Sequence, residues 1–85
     1  MQKKSLNSKS LLLVDIKNKL RSFVAIQRNG WIVKLSTYQD SNILLLFLSA
    51  HTGQAFVRYF VSEDDAVDYI NMVVSRDSTD LLEIE

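Results

Sequence analysis

The sequence has no cysteine, a single histidine and only two glycines. Without cysteine there is no disulfide framework and no thiolate chemistry, a composition that fits a reducing compartment. One histidine and no cysteine leave too few ligands for a structural zinc site, so no metal is expected. The histidine, His51, falls in a polar turn beside Ser49 and Thr52. No acid lies close in sequence to orient it, so it reads as a loop residue rather than a general base. The two glycines, Gly30 and Gly53, belong to no Gly-Lys-Ser/Thr loop, which removes the usual phosphate-binding signature. No long apolar run is present. Residues 11–14 and 43–48 are the longest, far short of the ~20 that span a bilayer and short for the core of a signal peptide. A soluble, cytoplasmic protein is expected, with no catalytic residue, no cofactor and no transmembrane segment.

What is present is one domain's worth of chain, 85 residues of which 47% are hydrophobic. That apolar fraction excludes disorder throughout, but so short a chain buries a modest core and gains from a second copy. The formal net charge is zero, yet the charges are sorted. Residues 1–34 hold eight bases (Lys3, Lys4, Lys9, Lys17, Lys19, Arg21, Arg28 and Lys34) and one acid, Asp15, and eight less one leaves +7. Residues 35–85 hold two bases, Arg58 and Arg76, against nine acids, leaving −7.

Residues 1–10 read as a flexible basic tail. Leu12, Leu13, Ile16, Leu20 and Phe23 recur at helical spacing, and Asp15 precedes Lys19 by one turn, so a helix is expected over 11–21 with Ser10 as its cap. Four strands follow, over 23–28, 31–38, 43–49 and 54–61. Asn29-Gly30 joins the first two as a tight hairpin turn, because both central residues of that turn need positive φ. Polar turns at 39–42 and 50–53 make the rest an antiparallel meander. Ser62 then caps a second helix ending near Ser75, with Glu63, Asp64 and Asp65 at the positive end of its dipole and Ala66, Val67, Ile70, Val73 and Val74 on its apolar face. Cap and dipole account for that acidic cluster without a bound Mg²⁺ or Ca²⁺. Residues 76–85 read as an acidic tail in which Leu81, Leu82 and Ile84 suit a short strand. The expected class is α+β: an N-terminal helix, a four-stranded antiparallel meander, and a C-terminal helix on one sheet face. Residues 11–75 form its single domain.

Alternation of side chains sorts the strands into two faces. Val24, Ile26, Trp31, Val33, Leu35, Val57, Tyr59 and Val61 are expected on one, as the bed for the C-terminal helix. Gln27, Ile32, Lys34, Ser36, Tyr38, Phe56, Arg58 and Phe60 are expected on the other. Strand three, apolar throughout, feeds both. The second face is too apolar to stand bare in water. Its cover is the N-terminal helix, another copy of the chain, or a ligand. A ligand that fits is single-stranded nucleic acid, whose bases stack on aromatics while Lys and Arg hold phosphates.

The strand meander with its Asn29-Gly30 turn, residues 31–38 and 56–60, and the capped helix that follows resemble in layout the positive cofactor four, Whirly and Pur-alpha group of single-stranded nucleic-acid-binding domains. The resemblance implies a homodimer that binds single-stranded DNA or RNA on its sheets and arms. On that analogy the binding candidates are Lys3, Lys4, Lys34, Tyr38, Phe56 and Arg58, and the basic tail and aromatic sheet face add Lys9 and Phe60. Two functions are therefore expected in competition. One is a small regulator that binds single-stranded nucleic acid. The other is a protein-interaction module or regulatory subunit that homodimerises or docks through its apolar sheet face.

Overall fold

A computed structural model describes the backbone of residues 8–39 and 42–79, and the side chains within those spans from Leu12 onward. The order of elements is α1 (Ser8–Arg21), β1 (Ile26–Arg28), β2 (Trp31–Gln39), β3 (Asn42–Ser49), β4 (Ala55–Phe60) and α2 (Glu63–Val74). The strands form one antiparallel sheet in the order β1-β2-β3-β4, the α+β meander that the turn signals predict. Lys3, Lys4 and residues 80–85, including the strand expected there, lie outside the described residues.

Local chemistry sets the element ends. Helix α1 starts at Ser8, three residues before the expected boundary, and so takes in Lys9. It closes where Val24 N donates to Lys19 O at 2.9 Å and Phe23 N to Leu20 O at 3.2 Å, with Phe23 at φ 56°. That pair of bonds turns the chain sharply out of the helix. Phe23 is thereby lost both to the helical stripe and to the first strand, and it stands 62% exposed. Strand β1 is left with three residues instead of the expected six. The hairpin turn follows expectation, with Asn29 and Gly30 both at positive φ. At α2 the Ser62 hydroxyl accepts from Asp65 N, as predicted of the cap.

Both helices lie on the same side of the sheet. Ile16 and Leu20 of α1 and Ala66, Val67, Ile70, Val73 and Val74 of α2 join Ile26, Trp31, Val33, Ile43, Leu45 and Phe47 in a single buried cluster. Each fully buried side chain of this size stabilises by roughly 1.5–3 kcal/mol, so the shared face is the seat of stability. The end of α1 meets the start of α2, where Lys17 Nζ lies 3.5 Å from Asp64 and Arg21 Nη2 lies 2.9 Å from Glu63. Each helix thus brings the charge that favours its own dipole end, bases at the C-terminus of α1 and acids at the N-terminus of α2. Part of the charge split in the sequence, Lys17 and Arg21 against Asp64 and Glu63, is matched here between two helices of one chain.

The register corrects the expected sorting of faces. Val33 pairs with Phe47, and Phe47 with Phe56. Phe56, Arg58 and Phe60 therefore share the helix-covered face with Val33, while Val57 and Tyr59 turn away, 54% and 59% exposed. The five-residue connection between β3 and β4 does not carry parity across, so counting from β2 inverts β4. A second correction is at Ser36. The ladder steps from Leu35 opposite Leu45 directly to Thr37 opposite Leu44, leaving Ser36 as the extra residue of a bulge. The bulge carries Tyr38 to the helix side, away from Lys34. Val24 and Val61, expected in the core, are also exposed. Strand β3 is covered on one face only, its residues alternating between buried and half-buried.

Candidate interaction surface

The residues expected to form a nucleic-acid platform are divided between the two faces. Lys34 is exposed on the uncovered side. Tyr38, Phe56, Arg58 and Phe60 lie on the side that carries the helices. The Tyr38 hydroxyl donates to Glu63 Oε2 at 2.8 Å. Phe56 stacks on Phe47 with ring centroids 4.9 Å apart and meets Trp31 edge-on at 6.0 Å. Phe60 lies 5.4 Å from Tyr69 of α2. The Arg58 guanidinium sits 4.9 Å from the Phe56 centroid, and its Nη1 donates to Val57 O at 2.8 Å. These rings already have partners within the chain, so they offer no row of free faces for bases. Lys3 and Lys4 fall outside the described residues, as does the side chain of Lys9 in the first turn of α1.

Where charge is concentrated, it is internally matched. Arg21 Nε and Nη2 reach the two oxygens of Glu63 at 2.9 Å each. The hydrogen bond from Arg21 holds the Glu63 carboxyl below its ordinary range, and the bond from Tyr38 adds to this. Accepting by Glu63 in turn raises the Tyr38 phenol above its ordinary value. The Arg21 guanidinium is raised by the same partner. Together the three residues tie α1, α2 and β2 at one corner.

A second cluster closes the opposite end of the sheet. Ser78 N donates to Asn29 O at 2.8 Å, Ser49 Oγ to Ser78 O at 3.2 Å, and Asn29 Nδ2 to the last carbonyl of α2, Val74 O, at 2.6 Å. Ser78 Oγ lies 3.0 Å from His51 Nδ1, and an Asp77 oxygen lies 3.6 Å from the same nitrogen. Serine, histidine and aspartate are together, but both partners meet one ring nitrogen. A relay needs the acid on one nitrogen and the nucleophile on the other, so the arrangement is a clasp rather than a catalytic triad. The Thr79 backbone N–H holds the Asp77 carboxyl below its usual range, with help from the Thr79 hydroxyl. Ser78 is 3% exposed, so this part of the expected tail is packed against the domain. Among the described residues no group of three or more His, Cys, Asp or Glu is placed to hold a metal ion. No helix among them is long and apolar enough to cross a membrane.

The uncovered face is built of cross-strand rows. Ile32, Leu48 and Ala55 form one, Lys34, Leu46 and Val57 the next, and Thr37, Leu44 and Tyr59 a third. A hollow of about 350 Å³ opens among Lys34, Leu44, Leu46 and Val57. Lys34 is the sole charge among the described residues of this face. Strand β3 announces these leucines in the sequence by its unbroken apolar run. Val57 and Tyr59 are not recoverable by counting, because only the β3–β4 register puts them here.

No family model, no curated protein and no solved structure matches this chain.

Proposed function

We propose that this protein is a non-enzymatic interaction module whose working surface is the uncovered sheet face, and that a second copy of the chain is the partner that fits it. The observation that carries this is the patch of Ile32, Leu44, Leu46, Leu48 and Val57, contiguous across three strands and covered by neither helix. Four strands spaced about 4.8 Å apart, with eight residues of β3 rising about 3.3 Å each, make a face of roughly 19 by 26 Å. Such a face, roughly 500 Å², falls below the ~800 Å² that each partner contributes to a standard interface and suits a smaller, weaker contact. Two twisted sheets pack face to face at about 10 Å with their strands about 30° apart, which suits rows of branched aliphatic side chains. Lys34 ends its row, so its stem can cover apolar surface while its ammonium stays at the wet rim. Tyr59 likewise keeps its ring on the face while its hydroxyl donates to Asn42 Oδ1.

Sedimentation equilibrium of the full chain tests this. Leu46→Lys places a charge in the middle row and is expected to halve the assembled mass while the circular dichroism spectrum stays folded. A Leu46→Lys chain of the same mass as the wild type overturns the reading. So does a wild-type monomer at high micromolar concentration that instead binds a labelled single-stranded oligonucleotide at moderate salt.

A further inference from the structure

The two edges of the sheet are unlike. At one, β1 covers only Trp31, Ile32 and Val33 of β2. Beyond them β2 carries the outward-facing Lys34 and the bulge at Ser36. A charged lysine, a bulge and a short outer strand are the devices by which sheets discourage strand addition. At the other edge, β4 has no lysine and no bulge, and its one charge, Arg58, lies back over Phe56 and Tyr69. The strand is six residues, Ala-Phe-Val-Arg-Tyr-Phe, paired to β3 without a register break. It holds no proline and no acid, and among the described residues nothing pairs with its outer side. Every other backbone amide and carbonyl along that side faces outward, ready to template a further strand.

We propose that β4 pairs antiparallel with β4 of a second copy across a two-fold axis, joining two sheets into one of eight strands. The sequence of β4 selects the register. Partners must point to the same face, so residue sums are even and the dyad falls on Val57 or on Arg58. Centring on Arg58 sets two guanidinium groups directly opposite each other, which is destabilising. Centring on Val57 sets Arg58 of each copy opposite Phe56 of the other, extending to the partner the cation–π contact that Arg58 already makes at 4.9 Å. On the opposite face the same register sets Val57 against Val57 and Ala55 against Tyr59, so the apolar rows run on across the junction. The two-fold keeps all four helices on one side of the joined sheet. Edge pairing rests on backbone groups and Arg58 and face packing on Leu46 and its neighbours; Val57 belongs to both, so the two are told apart by Leu46→Lys and Arg58→Glu.

The test uses the full chain carrying Leu46→Lys, in which the face is disabled. Edge pairing predicts that this chain is still a dimer, and that adding Arg58→Glu weakens the dimer at least about tenfold, the loss of two cation–π contacts. Because the protein has no cysteine, Val57→Cys in the same background gives a single reporter. It is expected to form a disulfide-linked dimer under mild oxidation, while Ser75→Cys, on an exposed helix end, does not. A monomeric Leu46→Lys chain, or crosslinking no faster at position 57 than at 75, overturns the proposal. Crosslinking at 57 that arises only after residues 80–85 are deleted assigns the edge to the chain's own C-terminal segment and also overturns it.

Discussion

Arg21 forks onto Glu63, with Nε on Oε2 and Nη2 on Oε1 at 2.9 Å each, and Tyr38 donates to the same carboxylate from β2. Glu63 is half-buried, and three elements depend on its charge. Its carboxyl is depressed in the folded protein. The stability it contributes is therefore complete above the ordinary glutamate range and is lost as pH falls through the lower folded value. Glu63→Gln is expected to cost about 1 kcal/mol at neutral pH by weakening a charge-assisted bond and one to Tyr38. Urea melts should show that difference shrinking as the pH drops below the glutamate range. Tyr38, whose phenol is raised, gives the opposite limb: its contribution is complete below the ordinary tyrosine value and is lost as pH rises through the raised one.

Gly30 and Gly53 both sit at positive φ, 83° and 78°, but only one is crowded. A methyl group at Gly30 meets Ser78 Oγ and comes within 2.7 Å of His51 Cε1, whereas nothing lies within 4 Å at Gly53. Gly53→Ala is expected to cost roughly 1–2 kcal/mol, the left-handed backbone penalty by itself. Gly30→Ala should cost more, roughly 2–4 kcal/mol, because it also opens the clasp around buried Ser78. Chemical denaturation of the pair separates backbone strain from collision.

Phe23 is a bulky residue at φ 56°, where glycine is usual, and its exposed ring returns little burial. Phe23→Gly should relieve the left-handed strain and raise stability by roughly 0.5–1 kcal/mol, after allowing for the greater freedom of glycine in the unfolded chain. Thermal melts should show a gain of a few degrees. A loss would mean that the ring has a contact worth more than the strain.

Ser36 is the extra residue of its bulge, so removing it restores plain alternation from Leu35 through Thr37 to Tyr38. Deletion of Ser36 is expected to leave the fold intact and Tyr38 still on Glu63, with a stability change within about 1 kcal/mol. The raised phenol is the readout: ultraviolet titration of the deleted chain should retain a tyrosine that ionises above the ordinary range.

The sequence made the local features legible. Asn29-Gly30, the Ser62 cap and the stripe of Ile16 and Leu20 each depend on residues a few positions apart. The surface was illegible where it depends on counting across a break. Alternation within β4 reads correctly from Ala55 to Phe60, but its absolute phase is set by hydrogen bonds to β3. Ser36 shifts the phase of Tyr38 with no glycine to mark the bulge. Nor does an amphipathic stripe say which side of a sheet its helix will take. Here Ile16 and Leu20 chose the side already occupied by α2, where Glu63 and Asp64 await the bases of α1. Buried Ser78 was hidden for the same reason, since its partners Asn29 and His51 are remote in sequence.

The bulge at Ser36 has a bearing on arithmetic. A building block with two receptive strand ends polymerises; one with a single receptive end stops at two. On the proposed edge pairing, and among the described residues, Lys34, the three-residue β1 and the displaced Ser36 guard one edge of the sheet and leave β4 to accept a further strand. Straightening that segment by the loss of one serine would remove only one of three guards, and Lys34 and the short β1 would still withhold the second valence.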